Sequence, residues 1–414
     1  MSNDTIVSFC DPAFRDELSD LVRDGAQRII VQAVAAELTA FLDDHADARD
    51  AAGRRAVVRN GYQPARQVLT GVGPVTVRMP KTRDRAGEGR CFRSEVLPPY
   101  LKKTRRLEAV IPWLYLKGVS TNDFDEALQA LFGESVKGLS PATISRLKGA
   151  WEAEYAEWRQ RDWHGHEFVY LWADGIYVNI RREERRCVLV VIGCDVHGRK
   201  HFLAIEEGFR ESKESWKALL LSLRDRGLNA AQLAVGDGAL GFWAALAEVF
   251  PATRVQRCWV HKTVNVLDKL PQRLHGSAKA ALHEIWQADS RAAAEQAFDR
   301  FVATYEAKYP KAVACLVKDR DELLAFYDFP AAHWQHIRTT NPIESTFATI
   351  RLRTKKTRNC VSAKSGLSLM HQLAMSAQKR WRRLRGFRQL ADVVAGVKFI
   401  DGIDERKLSS RKAA

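Results

Sequence analysis

The 414-residue sequence predicts an α/β core on a mixed five-stranded sheet, interrupted by an all-α insertion and preceded by a mainly α-helical region with a small β-hairpin. Three observations give this class. Between residues 168 and 258, five short apolar runs alternate with turns and two amphipathic stretches in the order βββαβαβ. From His261 to about His336 only helical spacings occur, as with Phe298, Phe301, Val302 and Tyr305 at i, i+3, i+4 and i+7. Before residue 158 helical patterns dominate, and the clear period-2 alternation is Val75-Thr76-Val77-Arg78-Met79.

Taken in order, residues 1–50 form a helical region in which Leu18, Leu21, Val22, Ile30, Val34, Leu38 and Phe41 fall at the spacing of one amphipathic helix, 14–41. Residues 51–98 are basic. Gln67 to Thr70, a turn at Gly71 to Pro74, and the alternation ended by Pro80 make the hairpin. The segments RRAVVRNGYQPAR and KTRDRAGEGR flank it, either as solvated loops or as contacts to a phosphate backbone. Residues 99–160 carry several helices, including 122–132, a Gly-bearing turn and Ser140-Pro141, which signals the N-cap and first turn of a second helix. Helix-turn-helix spacing puts Thr143, Ser145, Arg146 and Lys148 near that helix's N-terminal end, where a major groove could be read, although many helical hairpins share the spacing without touching DNA.

The first part of the core, 161–261, holds the strands 168–173, 186–193 and 200–205, a helix over 212–226 with Trp216, Leu219, Leu220 and Leu223 on one face, the strand 232–235, a helix over 240–250 and the strand 254–258. The insertion covers 262–337. The second part, 338–400, opens with a long helix from Asn341-Pro342-Ile343-Glu344, and 401–414 form a tail.

Composition bounds the function. The chain has 46% hydrophobic residues, 13 Pro and 25 Gly, which excludes wholesale disorder, collagen and a disulfide-rich miniprotein. No run approaches the roughly 18 apolar residues of a membrane span, and MSNDTIVSFCDPAF does not read as a signal peptide. Seven scattered cysteines without a C-x-x-C pair argue against a disulfide framework. A soluble protein of the cytoplasm is the expectation. With 65 Lys+Arg against 50 Asp+Glu, the net charge of +15 points to a polyanionic partner.

Two aspartates share one context, an apolar strand followed by Asp-Gly: Asp174 in LWADG and Asp237 in AVGDG. Carboxylates at the carboxyl ends of buried strands stand where open α/β sheets bind ligands, and Gly allows close approach. The first and fourth strands can lie side by side, bringing both anions together, a placement that a divalent cation stabilises. Glu344, at the head of a helix packing on that sheet, would complete an oxygen-rich site for Mg²⁺ or Mn²⁺. Two such ions about 3.5–4 Å apart serve phosphodiester transfer. The bland alternative is that each Asp-Gly is a simple turn.

Between residues 338 and 388 there are 13 Lys+Arg and one acid, Glu344. Arg351, Arg353, Lys355, Lys356 and Arg358, then Arg380, Arg382 and Arg383, would neutralise backbone phosphates. Trp381 reads as an anchor of its helix, with stacking on an exposed base as the alternative. Cys258 and His261 form a C-x-x-H pair. Zinc would need two more ligands, and the nearby His275 and His283 lack the usual spacing. His164 and His166 read as exposed and incidental. There is no G-x-S-x-G elbow, P-loop or dinucleotide fingerprint, so no nucleotide cofactor is expected.

The motifs RNGYQPARQVLTGVGPVTVRMPKTRD, FRSEVLPPYLKKT, LSPATISRL, LWADGIYV, GDGALGFWAAL, RCWVHKTVNVL and TTNPIESTFATIRLRTKKT occur in this order over nearly the whole chain. In them the sequence resembles the Mutator-type transposases of bacterial insertion sequences, which carry an RNase H-like catalytic core. The resemblance implies that Asp174, Asp237 and Glu344 are a metal-binding catalytic triad, that the α-helical block interrupts the catalytic fold, that Cys258 and His261 are a family marker without an assigned role, and that Arg351 is the basic residue following the Glu. It also implies Mg²⁺ or Mn²⁺, two ions per site, and strand cleavage followed by strand transfer with no covalent enzyme–DNA intermediate. The N-terminal 158 residues would recognise terminal inverted repeats in double-stranded DNA, target DNA would be a second partner, and a homodimer or larger assembly would pair two ends at the bacterial nucleoid. Other readings are a nuclease or resolvase on the same fold, a DNA-binding protein that has lost catalysis, and a two-carboxylate glycosidase, for which the basic charge has no use.

Overall fold

The computed structural model describes residues 17–104, 141–180, 184–238, 240–356 and 363–407, and its chain divides between Leu147 and Lys148 into two compact units. In the first unit, α1 (Glu17–Asp44) lies over a small β layer. β2 (Arg66–Thr70) and β3 (Gly73–Val77) form the expected hairpin, with Val68 opposite Val75. Around it, β1 (Val57–Tyr62) pairs antiparallel with β4 (Pro80–Asp84). The sequence reading left these two basic segments as loops. They are strands because backbone pairing tolerates charged side chains on an exposed face, where Arg59, Lys81 and Arg83 add solubility to an edge rather than core.

Val34 and Leu38 of α1 are buried with Val68, Val75, Val77, Met79, Phe92 and Leu97, and Ile30 and Phe41 pack against them. Leu18, Leu21 and Val22, read as part of the same apolar face, are exposed instead. A 28-residue helix is about 42 Å long, whereas a five-residue strand spans about 17 Å, so the apolar β layer covers the C-terminal half, and the β2–β3 turn meets the other half through Arg23, which donates to Val72 O at 3.3 Å. Glu37 ties that half down by accepting from the backbone N–H groups of Glu95 and Val96, each at 3.1 Å, and from the Ser94 hydroxyl.

The second unit begins within α2 (Pro141–Arg159) and continues to a five-stranded mixed sheet. β5 (Phe168–Ile180) pairs antiparallel with β6 (Glu184–Asp195), which pairs antiparallel with β7 (Lys200–Gly208). β8 (Leu233–Gly236) runs parallel to β5 on its other side, and β9 (Arg254–Arg257) runs parallel to β8. The order β7-β6-β5-β8-β9 is compatible with an RNase H-like core.

Each face of the sheet is covered. α3 (Lys213–Asp225) is capped by Ser212, whose hydroxyl accepts from the Ser215 N–H, and it buries Trp216, Leu219, Leu220 and Leu223. Together with α4 (Leu240–Val249) it packs on the face carrying Leu171, Ala173, Leu189 and Val191. The alternate residues of β5, Tyr170 and Trp172, meet the returning chain: the Tyr170 hydroxyl lies 2.8 Å from His333 Nδ1, and the Trp172 indole N–H donates to His336 O at 2.9 Å.

The insertion begins with α5 (Trp259–Leu267) and continues through α6 (His275–Gln287), α7 (Arg291–Tyr305), α8 (Pro310–Val317), α9 (Arg320–Leu324) and α10 (Trp334–Ile337), with 3₁₀ turns between. Its attachment to the sheet is polar and buried: Gln256 of β9 donates through Nε2 to Leu323 O at 3.1 Å, and its Oε1 accepts from the Phe326 N–H at 2.8 Å. The Trp259 indole N–H donates to Leu323 O at 2.8 Å, and Lys262 donates to Cys315 O at 2.9 Å and pairs with Asp319. Then α11 (Asn341–Lys356) and α12 (Ala363–Gln378) return to β5 and β7, and α13 (Leu390–Val394) follows. Among the described residues no helix is long and apolar enough to cross a membrane.

One core contact makes the unit acid-sensitive. His371 of α12 is buried beside Tyr155 and Trp158 of α2, with no hydrogen-bond partner on either ring nitrogen. Burial pushes its pKa down to about 4. The folded state therefore holds it neutral, so stability present above about pH 6.5 is lost as the pH falls towards 4, where the unfolded chain takes up the proton. Replacing His371 with Leu should flatten the acid limb of urea-unfolding curves over that window by up to about 1.4 kcal/mol per pH unit; an unchanged limb would show that His371 does not contribute.

Candidate active site

The functional side chains gather where β8 ends. β5 and β8 stay paired only as far as Ala173 opposite Gly236, so Asp174 and Asp237 leave the parallel pair at the same level. Asp174 is not beyond its strand, as the sequence reading had it. β5 continues to Ile180, with Asp174 opposite Val190 of β6, because the antiparallel ladder outruns the parallel one. The carboxylate is thus held by continuous sheet. Asp237 is fixed through its carbonyl, which accepts from the Trp243 indole N–H at 2.7 Å and from the Arg257 guanidinium at 3.2 Å. That guanidinium also stacks on the Trp243 ring, 4.6 Å from its centroid.

Glu344 arrives on the first turn of α11, and His261 from the first turn of α5 stands between the acids. His261 Nδ1 lies 4.0 Å from Asp237 Oδ1, and Nε2 lies 3.7 Å from Glu344 Oε1. Thr340 joins the two helices: its backbone N–H and its hydroxyl each lie 3.3 Å from Cys258 Sγ, and the hydroxyl lies 3.1 Å from Glu344 Oε1. The single hydroxyl proton serves Cys258 or Glu344, one at a time. The C-x-x-H pair therefore has a structural place. Cys258 seats the head of α11, and His261 sits among the carboxylates. His275 bonds Leu270 O at 3.0 Å and His283 meets the Trp286 ring edge-on, while His164 and His166 are exposed.

Electrostatics follow from this crowding. Burial pushes the Asp174 carboxyl up to about 6; the His261 charge pulls it down, and the Asp237 and Glu344 charges push it further up. For His261, burial works against the charged form, but contact with Cys258 and the charges of Asp237 and Asp174 raise it to about 9. Sequence reasoning missed one acid here. Glu211, in the turn between β7 and α3, is pushed up to about 7 by burial and then by Asp174 and Asp237. Its position in no recognisable motif explains the omission.

Side-chain exposures of 36% for Asp237, 34% for Glu344 and 29% for His261 leave the cluster open to an incoming ligand. The carboxylate oxygens of Asp174, Asp237 and Glu344 are hard donors of the kind Mg²⁺ or Mn²⁺ takes, and the charges of Asp237 and Glu344 already bear on Asp174. Cys258, His261 and Glu344 could also hold an ion, with donor atoms within 4.8 Å of one another, but Cys258 Sγ already accepts from Thr340.

The other candidate residues sit apart from this centre or outside the description. Arg351, Arg353, Lys355 and Lys356 lie on the second half of α11, and Arg380, Arg382 and Arg383 are exposed beyond α12. Trp381 anchors on β7 through Phe202, with ring centroids 4.7 Å apart, and with Lys200, His336, Arg382 and Arg383 it lines a cleft beside Asn341 and Ser345 at the head of α11. Thr143 is in the first turn of α2, Arg146 is exposed and Lys148 is half-buried on the same helix. Arg358 and the expected helix 122–132 lie outside the described residues.

A mixed sheet that brings acidic side chains together at the end of a parallel strand pair, with an α-helical insertion ahead of the helix bearing the third acid, is an α/β arrangement compatible with an RNase H-like core. The chain belongs to the Mutator family of transposases, whose family model matches residues 4–384. It is 52% identical over 286 residues to the transposase for insertion sequence element IST2 of Acidithiobacillus ferrooxidans, covering 67% of this chain and 95% of that one. It is 49% identical over 297 residues to the transposase for IS6120 of Mycolicibacterium smegmatis, covering 72% and 92%, and 30% identical over 400 residues to the transposase for ISRM5 of Rhizobium meliloti, covering 94% and 95%.

Thr340 gives the site a measurable handle. Thr340→Val keeps the backbone bond to Cys258 and loses the hydroxyl, and should cost about 1–2 kcal/mol and speed amide hydrogen exchange at the head of α11, whereas Thr340→Ser should retain most of the protection. Equal exchange in wild type and Thr340→Val would contradict a role in holding Glu344.

Proposed function

We propose that this protein is the transposase of a bacterial insertion sequence, which binds the element's terminal inverted repeats and performs divalent-metal-dependent strand cleavage and strand transfer through Asp174, Asp237 and Glu344, with no covalent enzyme–DNA intermediate. The observation that carries the reading is the gathering of Asp237 and Glu344 around His261 beside Asp174, in a chain of the Mutator transposase family.

Water attacks a phosphodiester at the element's end, the new P–O bond displacing a 3′-oxygen that leaves as a hydroxyl. This 3′-hydroxyl then attacks a second phosphodiester, forming a P–O bond to the element and displacing the oxygen that held that phosphate to its own strand. Bound Mg²⁺ or Mn²⁺, two ions per site, would ease deprotonation of the attacking oxygen and neutralise charge on the leaving one. Asp174, Asp237 and Glu344 would hold these ions, each from an element fixed by packing: the continuous β5–β6 ladder, the clamped carbonyl after β8, and the head of α11 seated on Cys258. His261 offsets part of the carboxylate charge when no ion is bound. No side-chain nucleophile takes part, and no nucleotide is needed.

Arg351, Arg353, Lys355, Lys356, Arg358, Arg380, Arg382 and Arg383 would carry the DNA backbone past Glu344, an affinity that is blind to sequence. The region before residue 158, with Thr143, Arg146 and Lys148, would read the repeats. Two ends must be joined, so the active form is a homodimer or larger, working at the nucleoid in the cytoplasm.

Asp174→Asn, Asp237→Asn and Glu344→Gln should each abolish cleavage and strand transfer on a donor carrying both ends, while end binding in gel-shift assays stays within about 3-fold of wild type, less than the tenfold that 1.4 kcal/mol would give. Strand transfer by any of the three would overturn the assignment, and cleaved ends without joined products from the wild type would make the protein a nuclease.

A further inference from the structure

One cleft of the second unit borders the acids without containing one. Its walls come from three parts of the chain: Lys200 at the start of β7, Asn341 and Ser345 one turn apart on α11, and Arg382 and Arg383 after α12. Two links tie it to the candidate active site. Glu344 lies between Asn341 and Ser345 on α11. His336, which also lines the cleft, accepts the Trp172 indole N–H on its carbonyl at 2.9 Å, and Trp172 precedes Asp174 by two residues on the same face of β5, about 7 Å along the strand. The cleft thus rests on the supports of two acids.

Its lining is cationic and holds no carboxylate. Lys200 donates to Arg382 O at 3.2 Å, and neither Lys200, Arg382 nor Arg383 has a carboxylate partner among the described residues. Burial holds the Lys200 pKa below its usual value, a desolvation cost that an anion in contact would offset. His336 adds no charge. Burial, then the charges of Lys200, His333 and Arg385, push its pKa down to about 4, and its Nε2 accepts from the Arg385 N–H at 3.3 Å, which leaves the one ring proton on Nδ1. Trp381 is the apolar wall, its ring held on Phe202 of β7. The space is about 210 Å³, below the roughly 300–1,000 Å³ of pockets that enclose a cofactor-sized ligand. Three cations around so small a volume fit one phosphate group of a strand rather than a whole free nucleotide.

We propose that this cleft is a subsite for one phosphodiester of the DNA strand close to the bond that is cut, with Lys200 supplying the charge that seats it and Asn341 and Ser345 supplying donors from the helix that presents Glu344. Spacing sets the distance: phosphates of one strand rise about 3.4 Å apart along B-DNA, so an offset of about 7 Å corresponds to about two nucleotides. The inference rests on the transposase reading above and sharpens it. A basic surface that tracks the backbone leaves the register of the strand free, whereas one seated phosphate fixes which bond meets Glu344.

Fluorescence anisotropy of the full chain in EDTA tests the subsite, on duplexes carrying the element's terminal repeat with a neutral methylphosphonate replacing one phosphate at a time. Wild type should lose about 5–10-fold in affinity at one position within about two nucleotides of the cleaved bond. Lys200→Ala should bind the unmodified duplex more weakly by that same factor, with a salt slope smaller by about 1, and lose nothing further at that position; Lys200→Arg should restore most of the affinity. Asn341→Asp adds a like charge to the cleft at a first-turn position that favours acids, so it keeps the test open should Lys200→Ala fail to fold. It should weaken the unmodified duplex and be relieved by the methylphosphonate at the same position. Equal losses in wild type and both variants at every position would overturn the subsite and leave DNA binding and cleavage standing. A wild type that neither binds this duplex nor cuts it with Mg²⁺ would overturn the transposase reading and the subsite with it.

Discussion

The structure turns on the convergence of like charges at the end of the β5–β8 pair. Two carboxylates about 5 Å apart at an effective dielectric of 20 repel by about 3 kcal/mol, and here the charges of Asp237 and Glu344 bear on Asp174 with the His261 imidazole among them. Such a cluster forms only if the scaffold holds it. The scaffold does so with elements that have little freedom: a 13-residue strand paired along its length with β6, a short strand buried between two parallel neighbours, and a helix whose first turn is hydrogen-bonded to Cys258. The proton affinity of Asp174 is raised first by burial and then by the charges of Asp237 and Glu344, against the pull of His261.

The α-helical insertion belongs to the same arrangement. It leaves the sheet at Cys258 and returns at Thr340, residues that contact each other, so about eighty residues are inserted across a gap closed by hydrogen bonds to one sulfur. Its inner contacts, Trp259 to Leu323 and Lys262 to Asp319, lock the exit helix to the returning chain. An insertion anchored in this way brings His261 and Glu344 from opposite ends of a long excursion to within 3.7 Å. The basic stretch Arg351, Arg353, Lys355 and Lys356 continues on the same helix that presents Glu344.

Much of this was legible in the sequence because the core strands are apolar runs with sharp ends. The order βββαβαβ, the Ser212 cap and the Asn341 start of α11 all follow from local rules that the tertiary structure does not override. β1 and β4 escaped because Arg59, Asn60, Lys81 and Arg83 hide a strand pattern that depends on partners far along the chain. The length of β5 escaped for a related reason: Asp-Gly reads as a turn locally, and only pairing with β6 carries the strand through it. Within the site, Asp174, Asp237 and Glu344 announce themselves by context, but Glu211 does not. Its environment is made by Gly175 and Gly241, 36 residues before it and 30 after, and no spacing rule links those positions.

The central claim is that these acids are arranged for a divalent cation. Crystals of the protein soaked in Mn²⁺ and measured for anomalous scattering test it most directly. A peak among the carboxylates of Asp174, Asp237 and Glu344 is the result this account predicts. A map with no peak there, or with one confined to Cys258 and His261, would contradict it.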